Sequence, residues 1–385
     1  MPPFGATAGY AMNVEEGLTG LKEVAWIAQT PTPYNNFLFG QLHQALAGNL
    51  TVYFVSRGRA DAPWKSLDMQ PWMRFFRTGC GVDWGIVRAI ARKRDALLVV
   101  GGWNVPTIRL LLHWYMLTGR PYVLWTDTPQ QNAGWKHKLR NCLLRPIFRQ
   151  AEAVMGTGQM ATTRLQEMGA PQPRIVDFPY WTPLPATNSY GTITAKPVRF
   201  ACIGRLVAYK GFEYPIRALA QLPAGEAALD IVGTGPDEHR LRTLSRDLDV
   251  SDRVVFRGWY EPHQVESYLR SECGCLVHCS PQLEPYGVVI LEAMAHGRPV
   301  VGSTACGAVI DRVQHGRNGF VLEIPISVPA LAECLRELTN PDRLQQMGAE
   351  ARRTAKQWPV ERGVSIIKRI LVASGHETSN RVRGR

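Results

Sequence analysis

Two glutamates eight residues apart, Glu284 and Glu292, bracket Pro285-Tyr286-Gly287-Val288-Val289 in the run EPYGVVILE. The strand-like run CLVHCS precedes this segment, and Val288 to His296 reads as a helix. Pro285 and Gly287 permit a tight strand-to-helix turn, so the first backbone amides of that helix, around Tyr286 to Val289, lack intrahelical partners. Such a helix N-terminus is an anion site, because unpaired N–H groups and the macrodipole both favour a phosphate. Glu292 lies five residues beyond Gly287, about 7 to 8 Å along the axis at ~1.5 Å rise per residue. That is the reach from a bound phosphate to the ribose of the same nucleotide, whose two hydroxyls a carboxylate can accept. Glu284, on the turn, can face whatever hangs from the distal phosphate. Taken alone, the two residues read better as a capping glutamate and a surface helical glutamate.

A second loop adds positive charge. In IGRLVAYKG, Arg205 and Lys210 fall just past another strand-like run, and Gly204 allows close backbone approach. Two cations beside a helix N-terminus suit a diphosphate and can stabilise the charge of a departing one. A third loop, VGTGP, sets Gly233, Gly235 and Pro236 between a strand and a helical run, as close nucleotide approach would need, although a bare GxGP has little specificity.

These loops must sit at the ends of strands. Apolar strand-like runs alternate with helix-period segments along the chain, which predicts an α/β fold with parallel sheets and helices on both faces. Strands are expected at 23–29, 50–56, 96–101, 122–126, 153–156 and 174–178, then at 198–203, 228–232, 254–256, 274–279, 299–302 and 319–322. Between the two series, TPLPATNSYGTITAKP has linker chemistry. The resulting division is an N-terminal extension over 1–22, a Rossmann-like domain over 23–185, a linker over 186–197, a second Rossmann-like domain over 198–355, a helical stretch over 356–372, and a disordered tail over 373–385.

GRLVAYKG, DIVGTGP, VVFRGWY, the Glu284/Glu292 pair, EAMAHGRPVV and CGAVIDRVQHGRNGFVLE follow one another through residues 198–323. In that order and spacing they resemble the family-4 retaining glycosyltransferases, group 1 enzymes of the GT-B fold with two Rossmann-like domains facing across a cleft. The resemblance implies transfer of a sugar from a nucleotide diphosphate sugar to a glycan or lipid-linked acceptor, in polysaccharide or glycoconjugate biosynthesis. It implies that Arg205 and Lys210 hold the diphosphate, Glu284 the donor sugar, Glu292 the ribose, and the amides from Gly287 to Val289 the distal phosphate. No cofactor and no metal ligand is expected: the nucleotide sugar is a substrate, and the cations and helix dipole supply the positive charge. The first half departs from the family twice. Where many members carry a glycine-rich loop, this chain has Pro31-Thr-Pro-Tyr-Asn-Asn36, so Asn35 and Asn36 become substitutes for its diphosphate contacts. Where many carry a histidine, it has Asp127, which can approach the donor sugar or acceptor or can cap the next helix.

Composition narrows the partners. The 385 residues carry 44 Lys plus Arg against 32 Asp plus Glu, net +12, with 45% hydrophobic residues, which excludes collagen-like and disordered classes. Residues 1–190 hold 19 basic and 11 acidic residues, net +8. WKHKLRNCLLRPIFR, 135–149, interleaves bases with apolar residues, a pattern suited either to an anionic membrane surface or to a solvated helix face. No window reaches the roughly 18 apolar residues of a membrane span. Eight cysteines, mostly in apolar runs, suit reduced thiols, so the expected location is cytoplasmic, with the inner face of the membrane left open by the basic helix. No nucleic-acid-binding motif is present.

Rival readings remain. Gly156-Thr-Gly158-Gln-Met-Ala161 fits a dinucleotide fingerprint, which would make the protein an NAD(P)-dependent oxidoreductase. A GT-B nucleotide-sugar epimerase and a non-catalytic nucleotide-sugar binder are the others. Asp247-Leu-Asp249 reads as solvated surface. Cys273, Cys275 and Cys279 share one strand face with His278 opposite, as buried core rather than a zinc site.

Overall fold

The computed structural model describes residues 23–57, 69–77, 81–129, 134–185 and 196–383. The expected extension over 1–22 and most of the expected linker lie outside the described residues. One sheet contains β1 (Glu23–Ala28), β2 (Leu50–Phe54), β3 (Met73–Phe75), β4 (Ala96–Gly101), β5 (Tyr122–Thr126), β6 (Ala153–Gly156) and β7 (Ile175–Asp177), ordered β3-β2-β1-β4-β5-β6-β7. The second contains β8 (Val198–Ile203), β9 (Ala227–Val232), β10 (Val254–Gly258), β11 (Cys275–His278), β12 (Val300–Ser303) and β13 (Gly319–Leu322), ordered β10-β9-β8-β11-β12-β13. All pairings between these strands are parallel.

Central strands buried on both faces read as nearly unbroken apolar runs, and EVAWIA and ALLVVG do so here. Along β1 the side chains alternate: Val24, Trp26 and Ala28 enter one core layer, Ala25 and Ile27 the other. β3 was not anticipated, because three residues paired to β2 are too short to show a period. In each sheet the strand order reverses beside the first strand, between β1 and β4 and between β8 and β11. Ligands of open α/β sheets bind beyond the strand C-termini at such switch points.

The helix Glu361–Arg383 packs on the helix Pro33–Ala45 of the first unit. Val360, Ile367 and Leu371 enter the same core as Trp26 and Phe178. A Cβ on Gly363 would lie 2.7 Å from the Trp181 ring, so glycine is what lets this helix close. The helix continues to Arg383, past residue 372, where the sequence reading placed a disordered tail. Once a docked segment has nucleated a helix, each further residue adds its own hydrogen bond.

Candidate active site

A cleft of about 570 Å³ opens between the C-terminal ends of the two sheets, within the range typical of small-molecule sites. Its second-domain wall is built by four strand-end loops, of which the one after β10 brings Trp259 and Tyr260. After β8, Gly204, Arg205 and Lys210 line it, with Lys210 on the short 3-10 turn Ala208–Lys210. Gly211 ends that turn at φ 68°, and a Cβ there would meet the Cys279 carbonyl oxygen at 2.1 Å. After β9, Gly233 lines the cleft, whereas Gly235 and Pro236 do not. The glycines of this loop answer to protein packing: a Cβ on Gly233 would lie 1.9 Å from the Gly204 carbonyl oxygen, and one on Gly235 would lie 2.2 Å from that of Leu206.

After β11, Glu284, Tyr286, Gly287, Val288, Val289 and Glu292 all face the cleft. Gly287, at φ 87°, caps the helix Val288–Ala295, and a Cβ on it would sit 2.7 Å from Cys306 Sγ. Glu284 is 7% exposed, and its backbone N–H donates to the Ala305 carbonyl at 2.9 Å. Lys210 Nζ donates to Glu284 Oε1, and His278 Nε2 lies 2.8 Å from Glu284 Oε2. Burial pushes the Glu284 carboxyl up, but the His278 imidazolium and Lys210 ammonium outweigh it and hold it well below the usual carboxylate range. Burial likewise depresses His278, and the Glu284 carboxylate, with Cys306, reverses that and raises it to about 10. Glu284 is therefore an ionised carboxylate clamped between two cations. Glu292 contrasts with it. Burial, with a smaller contribution from Glu266, raises its carboxyl to about 7.

The first domain contributes Pro33, Tyr34, Asp127 and Tyr180. Asp127 opens onto the cleft from the end of β5, and Tyr180 Oη donates to its Oδ1 at 2.8 Å. The surrounding walls raise its carboxyl pKa, with the Tyr180 and Thr157 hydrogen bonds opposing that. Asp127 does not cap the next helix, whose N-cap is Gly134. Asn35 and Asn36 do not line the cleft. They fall in the first turn of the helix capped by Thr32, whose hydroxyl accepts from the Asn35 N–H at 3.3 Å. Tyr34 takes the wall position instead, its ring 4.7 Å from Tyr180, which in turn lies 5.6 Å from Tyr286 across the cleft.

Sequence reasoning missed His278 beside Glu284, and the cleft-lining Tyr34, Tyr180, Tyr209, Trp259 and Tyr260. Strand alternation did set His278 apart from Cys275 and Cys279, and those two thiols are indeed core. Only the folded turn shows that the opposite face is where Glu284 returns. Cys273 departs from the expected shared face, packing in the other core layer because it precedes β11. Among the described residues no group of three or more His, Cys, Asp or Glu could hold a metal ion.

Residues 191–354 match the family described as glycosyl transferases group 1. The chain is 34% identical over 166 residues to the GDP-mannose-dependent alpha-(1-6)-phosphatidylinositol monomannoside mannosyltransferase of Mycobacterium tuberculosis, covering 41% of this chain and 43% of that one. It is 30% identical over 141 residues to the N-acetyl-alpha-D-glucosaminyl L-malate synthase of Bacillus anthracis, covering 36% of each. The matched segments span between about a third and two thirds of the length of the curated relatives, 43% and 36% for these two. Among solved structures, Alr3699/HepE from Anabaena in complex with UDP superposes with a TM-score of 0.68 at 18% identity, over 94% of this chain and all of that one. Residues 191–354, and with them the second-domain wall of the cleft, belong to the group 1 glycosyl transferases, in a chain whose two facing α/β domains have the GT-B fold.

Proposed function

We propose that the protein is a metal-independent, family-4 retaining glycosyltransferase that moves a sugar from a nucleotide diphosphate sugar to a glycan or lipid-linked acceptor. The observation that carries this reading is the ionised Glu284, clamped by Lys210 and His278 at the mouth of the helix that also bears Glu292. In this reading the diphosphate lies against the first amides of that helix, between Arg205 and Lys210. Glu292 accepts from the ribose hydroxyls and Glu284 from the donor sugar. The bond from the anomeric carbon to the phosphate oxygen breaks through an oxocarbenium-like state, and the acceptor oxygen bonds to the same face. The departing phosphate oxygen takes the acceptor proton. Arg205, Lys210 and the helix pole stabilise the growing negative charge, so no metal is required of the mechanism. Tyr34, Asp127 and Tyr180 form the acceptor wall.

A lipid-linked acceptor is supported by the phosphatidylinositol mannoside relative and by the helix Trp135–Gln150. Leu144, Ile147 and Phe148 of that helix face the core, while Trp135, Leu139 and Leu143, spaced four residues apart, are 71%, 52% and 66% exposed. Exposed Lys138, Arg145 and Arg149 accompany them. Apolar residues among bases suit the anionic, cytoplasmic face of a membrane. Among the described residues no helix is long and apolar enough to cross one.

The test is thermal stabilisation by UDP, GDP, ADP, their sugars and NAD(P). A ligand at 100 times its dissociation constant stabilises by about 2.7 kcal/mol. A response to one nucleoside diphosphate and its sugar is expected. A response to NAD(P) alone would overturn the reading.

A further inference from the structure

The dinucleotide-like run Gly156-Thr-Gly158-Gln-Met-Ala161 does occupy a strand-to-helix turn: β6 ends at Gly156 and a helix spans Gly158–Glu167. The N-cap, Thr157, makes no side-chain capping bond, so the first amides of this ten-residue helix need partners from elsewhere. Two carboxylates lie against them. Asp177, at the end of β7, sits beside the Gly158 backbone. Asp311, from the second domain, accepts from the Gln159 N–H at 3.0 Å. Gly158 sits at φ 80°, and a Cβ there would lie 2.2 Å from Asp311 Oδ2 and 2.9 Å from the Tyr286 ring. The glycine leaves room for the other domain, and the amide that a pyrophosphate would use is given to a protein carboxylate.

Asp311 is tied to the donor turn by its own helix, Gly307–Arg312. The first amides of that helix donate to the Glu284 carbonyl (from Gly307, 3.2 Å) and the Tyr286 carbonyl (from Ala308, 2.8 Å). Arg312 Nη2 donates to Tyr286 Oη at 3.1 Å, and its guanidinium lies 3.3 Å from the Trp358 ring centroid. The turn carrying Glu284 and the helix carrying Asp311 are thus one hydrogen-bonded piece. That piece grips the first domain at the Gly158 helix, on the side where Tyr180 holds Asp127. The charged and titratable groups facing the contact are Asp177, Arg312, Tyr286 and Arg362.

We propose that Asp311 is a positioning residue: seated on the first amides of the Gly158 helix, its carboxylate sets the Glu284 turn opposite Asp127, and the cleft opens by releasing this contact. The inference rests on the transferase reading for its effect on turnover but not for its effect on shape. Losing a charge-assisted hydrogen bond shifts the open–closed balance on the order of ten- to a hundredfold.

The experiment compares wild type, Asp311→Ala, Asp311→Asn and Gln159→Pro. The last removes the same N–H from the first-domain side, at a helix position where proline is tolerated. For Asp311→Ala and Gln159→Pro, solution scattering of the ligand-free chain is expected to show a larger radius of gyration. UDP and GDP affinities should stay within about twofold, because their proposed site lies wholly in the second domain, and kcat should fall at least tenfold. Asp311→Asn, whose amide oxygen still accepts, should recover most of both losses. Unchanged scattering in both disrupting variants overturns the proposal. So does a loss of nucleotide affinity that tracks the fall in kcat, since that marks damage within the second domain. Absence of any transfer by wild type would defeat the transferase reading, while scattering would still decide the clamp.

Discussion

Glu292 gives the sharpest test of the site because one substitution should move stability and binding in opposite directions. In the ligand-free protein its carboxyl is raised from an ordinary value of 4.5 to about 7, by burial and then by Glu266. At ~1.4 kcal/mol per pH unit, folding with that carboxylate ionised costs about 3 kcal/mol. The sign follows from the raised value. Below about pH 4.5 the group is neutral whether folded or unfolded and costs nothing. As pH rises from there towards 7 the unfolded chain gives up its proton first and the penalty grows, reaching its full size above 7. Glu292→Gln should therefore stabilise the ligand-free protein at pH 8 by up to about 3 kcal/mol, on the order of 6 to 12 °C for a domain of this size. The gain should shrink below about 1 kcal/mol at pH 5. The same substitution removes the charged acceptor for the ribose, so UDP or GDP affinity at pH 8 should fall on the order of ten- to a hundredfold. Melts at the two pH values, with and without nucleotide, read both effects. If the variant melts like wild type at pH 8, the half-buried Glu292 is not a carboxylate held without a compensating cation. If it binds nucleotide like wild type, the ribose assignment is wrong.

His278, raised to about 10, should contribute stability that is full below the ordinary imidazole value near 6.5 and is lost as pH climbs through 10. The melting gap between wild type and His278→Gln should be widest near pH 6 and narrow steadily to pH 10, whereas a constant gap would refute the ion pair with Glu284. For the membrane, the triple substitution of Trp135, Leu139 and Leu143 by Ser should abolish co-sedimentation with phosphatidylserine-containing vesicles at low salt. Raising salt should weaken wild-type binding as the Debye length shortens. Failure of wild type to bind such vesicles would make this helix face ordinary solvated surface.

Fold class and the second-domain site were legible because both rest on local pattern. Strand runs buried on both faces are apolar by necessity, so β4, β5, β6, β8 and β13 were located by composition alone. Glu284, Gly287 and Glu292 share one short turn and helix, whose spacing is set by helix geometry. What could not be read locally was decided by contacts between distant segments. His278 reads as core until Glu284 folds back on it. Gly235 reads as a glycine kept small for a nucleotide, and only the fold shows that the Leu206 carbonyl also leaves no room for a side chain there. Asn35 and Asn36 look available until Thr32 caps their helix and leaves Tyr34 on the wall. The Gly158 fingerprint reads as a dinucleotide site because a helix N-terminus favours any anion, and only the approach of the second domain, 152 residues along the chain, shows that the anion is Asp311. Periodicity and spacing dictate which groups a segment can present, and packing decides which partner each group meets.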